Sequence, residues 1–99
     1  DAPGMKLRPV LLLTGPLGPV PEVLVAYISS VIPNELLPSD LILDPALPQF
    51  HSIHLKIISA LRLHKLATLH CTSLVRYLGH LEADARLMVS QKLASLLRH

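Results

Sequence analysis

The chain is 99 residues long, 51% apolar and formally +2 at neutral pH. That length allows one domain with a modest core, and the lone cysteine, Cys71, excludes an intrachain disulfide and the secreted, disulfide-stapled class. Arg8, Glu22, Glu35, Asp44 and Lys56 interrupt every apolar stretch before it reaches the roughly 20 residues of a membrane span.

Met5 to Arg8, followed by Val10, Leu11, Leu12 and Leu13, look faintly like a signal peptide. Pro9, Pro16 and Pro19 break the short apolar run and no small-residue cleavage site follows, so the reading excludes one. Residues 1–20 read as a Pro/Gly-rich apolar arm. Val10 to Leu13 pass for a strand, but no second strand offers itself, and a lone strand leaves its backbone unpaired. The arm is therefore expected to lie across helices.

Residues 21–48 read as short helices punctuated by proline. Pro21 suits a first helical position, and Glu22 complements the positive end of the helix. Val20, Leu24, Tyr27, Ile28 and Val31 follow at helical spacing until Pro33 stops the run. Ser39 or Asp40 is expected to cap a further short piece around Leu41 to Leu43, ended by Pro45 and Pro48.

Residues 49–99 contain no proline and predict three helices. Their stripes are Phe50, Ile53, Ile57 and Leu61; then Ala67, Cys71, Leu74, Leu78 and Leu81; then Ala85, Val89, Leu93, Leu96 and Leu97. Gly79 is expected to be a left-handed helix stop between the second and third. This half is basic, and it holds all six histidines. The expected fold is thus all-α: a small irregular or orthogonal bundle of four to five helices with a Pro-rich N-terminal arm, in a single domain. Leu24, Ile28, Ile57, Leu61, Leu74, Leu78, Val89 and Leu93 are its expected core.

No catalytic, cofactor or metal signature emerges. His51 and His54 share a helical face, but His64, His70 and Cys71 add no established zinc spacing. His70 beside Cys71 is not a facing pair on a helix. Glu82 and Asp84 read as first-turn charges of a helix. No enzyme and no cofactor are expected. The composition points instead to surplus apolar surface covered by a partner. The leading expectation is an intracellular protein-interaction or scaffold module, complete or part of a larger helical assembly. It would bind another protein or a second copy of itself through Leu11, Leu12, Leu13, Leu17, Leu93, Leu96 and Leu97. The alternatives are a helical nucleic-acid-binding domain using the basic second half, and an oligomerisation domain.

Overall fold

Alternation, not helical spacing, organises most of the regular structure. The computed structural model describes residues 7–98. Asp1 to Lys6 and His99 lie outside the described residues, and with them Met5, Lys6 and the first part of the expected arm. Strands β1 (Val10–Leu12), β2 (Glu22–Ser29), β3 (Asp40–Leu43) and β4 (Ser59–His70) form one antiparallel sheet in the order β1-β2-β4-β3. Among the described residues there is one α-helix, α1 (Ala83–Leu96). The expected all-α bundle is therefore corrected to a curled antiparallel sheet carrying a single helix.

Strands and loops replace the arm and the helices expected before Ala83. The stretch from Val10 finds its partner in β2, with Leu11 opposite Ala26 and Leu12 opposite Val25. β2 itself holds Val23, Val25, Tyr27 and Ile28, β-branched and aromatic types that suit a pleated surface. In β4, Leu61 and Leu63 alternate with Arg62 and His64, as a two-faced strand requires. The alternation then breaks. Tyr27 pairs with Arg62 and the preceding Ala26 pairs with Leu66, so Leu63, His64 and Lys65 have no partner in β2. This excursion shifts the later leucines out of phase and imitates a 3.6-residue period. Only the third stripe, over Ala83–Leu96, is a helix.

The core lies between one sheet face and α1. Ala26, Leu41, Leu43, Leu61 and Leu63 pack with Phe50, Leu81, Ala85 and Val89, and Ile28 and Leu93 pack against this cluster from partly buried positions. Of the other expected core residues, Ile57 is 55% exposed and Leu74 is 37% exposed, because both lie outside the strands. Gly79 has a positive φ of 126°, but among the described residues no α-helix precedes it. It forms an isolated bridge with Ile53, and His80 N–H donates to Ser52 O, so it joins two loops rather than two helices.

A cationic cleft on the open face of the sheet

The face of the sheet turned away from α1 carries the chain's polar chemistry. Tyr27 of β2, Arg62 of β4 and Asp40 of β3 stand side by side in register, so their side chains leave the same face. Pro9 O accepts from Ile28 N–H at 3.2 Å, which brings Arg8, just ahead of β1, alongside the end of β2. The three-residue excursion of β4 turns Lys65 toward the same place. Irregularities of this kind re-aim side chains next to functional sites. The result is a cleft of about 360 Å³ lined by Arg8, Tyr27, Ile28, Ser29, Arg62 and Lys65.

Its parts differ in how firmly they are held. Arg8 and Lys65 are exposed to solvent. Arg62 has only 16% of its side chain exposed, and its Nε donates to Asp40 Oδ1 at 2.5 Å. The Asp40 side chain is fully buried, and its Oδ2 accepts from Leu37 N–H at 2.8 Å. His64 closes the network, with Nε2 3.3 Å from an Arg62 Nη2 and Nδ1 2.7 Å from Ser39 Oγ. Ser29 Oγ accepts from Val31 N–H at 3.1 Å and donates to Val31 O, which fixes the hydroxyl at the end of β2. Three cations against one carboxylate make the site electropositive. With a tyrosine ring and a hydroxyl among them, such a site suits a phosphodiester.

A larger hollow of about 550 Å³ runs between α1 and Pro38–Ser39. Its one cation, Lys92, already donates to Pro38 O at 3.0 Å, and no group of charges converges there. The smaller cleft is therefore the candidate site.

No family model and no curated protein matches this chain. Solved structures do. A structure described as a crystal structure of an Mtb toxin superposes with a TM-score of 0.69 at 22% identity, covering 89% of this chain and 90% of that one. The Mycobacterium tuberculosis toxin MazF-mt6 superposes with a TM-score of 0.69 at 22% identity, covering 89% of this chain and 83% of that one. The chain has the fold of these toxins.

This fold overturns the functional expectations built on helices. The helical scaffold, the helical nucleic-acid-binding domain and the helical oligomerisation domain all presupposed a bundle, and the toxin-like sheet replaces it. The expectation of a non-enzyme, drawn from the absence of a catalytic signature, is overturned by the fold the chain shares with MazF-type toxins.

The leucines expected to bind a partner are divided by the sheet. Leu11, Leu13 and Leu93 pack against the chain's own core. Leu12, Leu17, Leu96 and Leu97 are exposed, Leu97 most of all at 66%. The histidines and Cys71 considered as metal ligands are dispersed: His64 sits in the Arg62 network, while His70 Nδ1 accepts from Thr72 N–H at the end of β4. Among the described residues, no three His, Cys, Asp or Glu side chains gather as a metal group, and no helix is long and apolar enough to cross a membrane. Of the cleft's polar side chains, only Arg62 and Lys65 entered a functional expectation, as part of the basic second half; Arg8, Tyr27 and Ser29 entered none. The further signal was the placing of Arg62, His64 and Lys65 inside a largely apolar run. Such charges in a strand need a reason.

Proposed function

We propose that the chain is an RNA-cleaving toxin of the MazF kind, acting on single-stranded RNA at the cleft between Arg8, Ser29, Arg62 and Lys65. The observation that carries this reading is the convergence of those side chains on the open sheet face, at a break in the pairing of β2 and β4. The toxin fold supports it. RNA brings its own nucleophile, the 2′-hydroxyl: its oxygen bonds to the adjacent phosphorus as the P–O5′ bond breaks, its proton passes to solvent and the leaving 5′-oxygen takes one up, which gives a 2′,3′-cyclic phosphate and a 5′-hydroxyl. The protein's task is then to hold the phosphate and to stabilise the charge that grows on its oxygens in the transition state. Fixed N–H donors and cations in a partly dehydrated cleft do this well. Arg8 and Lys65 supply attraction, Arg62 supplies directed donors, and Tyr27 presents a ring to a neighbouring base.

The test is incubation of the purified chain with a labelled single-stranded RNA and with the same strand carrying a single 2′-deoxy nucleotide at the cleavage site. Cleavage of the first and not the second is the expected outcome, with Arg8→Ala reducing the rate. An intact RNA under all conditions removes the reading. An RNA substrate also implies action inside the cell. The exposed Leu12, Leu17, Leu96 and Leu97 contribute, on this proposal, to a contact with a second copy of the chain rather than to a scaffold.

A further inference from the structure

The three cations of the cleft are not equivalent, and the difference lies in what surrounds Arg62. Its charge is already balanced by the fully buried Asp40 carboxylate, so it adds little to long-range attraction. Its geometry, however, is fixed on two sides. Nε donates to Asp40 and an Nη2 proton is directed at His64 Nε2. A guanidinium only donates, so His64 Nε2 accepts, and the ring proton sits on Nδ1, donating to Ser39 Oγ. Asp40 in turn is anchored by Leu37 N–H, and Ser39 O accepts from Leu63 N–H at 3.0 Å, which ties this brace to the unpaired stretch of β4. The Arg62 Nη1 group has no partner among the described residues, and Arg62 lines the cleft.

We infer that Arg62 is the directional phosphate ligand of the cleft, and that Asp40 and His64 are positioning residues that aim its unpaired Nη1 donors at a phosphoryl oxygen. The inference rests on the phosphodiester reading above and deepens it. A planar fork can give one edge to a carboxylate and still present another pair of donors; an ammonium cannot do both. Arg62→Lys therefore separates the roles. It keeps the net charge and the ion pair with Asp40, but loses the second edge.

Two measurements test this. The first is the arginine side-chain Nε–H NMR spectrum titrated with inorganic phosphate, with the Arg62 signal assigned by its absence in Arg62→Lys. Phosphate should shift the Arg62 signal in the wild-type chain, and Asp40→Asn should largely abolish that shift. The second is single-turnover cleavage of single-stranded RNA. Arg62→Lys should melt close to the wild-type temperature yet cleave about 100-fold more slowly, the loss expected for one directed donor to a transition-state oxyanion. Under multiple turnover, its KM should change far less than its kcat. Wild-type cleavage by Arg62→Lys, or a phosphate titration that moves Arg8 and leaves Arg62 unmoved, overturns the inference. RNA left intact by the wild type, together with an Asp40-dependent phosphate shift at Arg62, would remove the cleavage reading and keep this one. RNA cleaved normally with Arg62 silent would do the reverse.

Discussion

Single residues show most directly what the chain's folding requires. Gly79 is one such position. A Cβ built there would stand 1.8 Å from Ser52 O and 2.9 Å from Ser52 C, and its φ of 126° is one that other residues rarely adopt. Neither backbone atom can move without breaking the bridge to Ile53. Gly79→Ala should therefore cost on the order of 3 kcal/mol, from overpacking and strain together. Gly15→Ala, with nothing within 4 Å of the added carbon, should be nearly neutral. Urea denaturation of the two variants checks the contrast. The core gives a second comparison. Leu61 is fully buried in β4 and Leu74 is 37% exposed beyond it. Leu61→Ala should lose about 2–5 kcal/mol, and Leu74→Ala about 1 kcal/mol or less. Equal losses would show that the face of β4 has been assigned wrongly.

At the scale of elements, α1 and β4 carry opposite lessons. Along α1, Ala85 and Val89 are buried while Leu87 and Met88 between them are exposed, so the helix is apolar on more than the face it packs. Asp84 lies in its first turn, where a carboxylate complements the helix dipole. Val89→Ser should destabilise the chain by roughly 1–3 kcal/mol through lost burial and an added buried hydroxyl, and Leu87→Ser by less than about 0.5 kcal/mol. Thermal melts that rank the two the other way would place the packed face on the wrong side. β4 is a longer element with a deliberate interruption. Its first part pairs with β2 and β3, its last part with β2 alone, and the stretch between is where Arg62, His64 and Lys65 meet. Because residues 63–65 have no partner in β2, deleting His64 shortens the excursion while β2 still holds Leu66 to His70 in register. The expected result is a cooperative melt at a lower temperature and a cleft without the contact from His64 to Arg62.

The whole molecule exposes more leucine than its core uses. Leu12, Leu17, Leu96 and Leu97 are all at least 39% exposed, on a chain whose isoelectric point is about 9.0. Two kinds of association should therefore differ in their response to salt. Self-association through leucine should rise with protein concentration, change little with salt, and weaken in Leu96→Asp, as read by sedimentation. RNA binding at the cleft should fall steeply with salt, and Lys65→Ala should reduce the slope of log affinity against log salt by about 0.7. A salt-independent RNA affinity would mean that the cleft's cations do not meet phosphate.

What the sequence determined by itself is composition and its local consequences. A lone cysteine, the absence of a membrane-length run, and the helical stripe Ala85, Val89 and Leu93 are all readable there because each depends on one residue type or on neighbours within a few turns. The sheet was not readable. Val10 to Leu12 is a strand only because Val25 to Tyr27 pair with it, and that partner lies in a stretch whose spacing also suits a helix. In β4, the unpaired residues 63–65 turned a period of two into something close to 3.6, and the leucine, lysine and alanine around them are good helix formers. The cleft was least readable of all. Arg8, Ser29, Asp40, Arg62 and Lys65 come from four separated segments, and nothing local joins them. Their meeting is decided by strand register, which depends on long-range hydrogen bonds and on which face each side chain must bury.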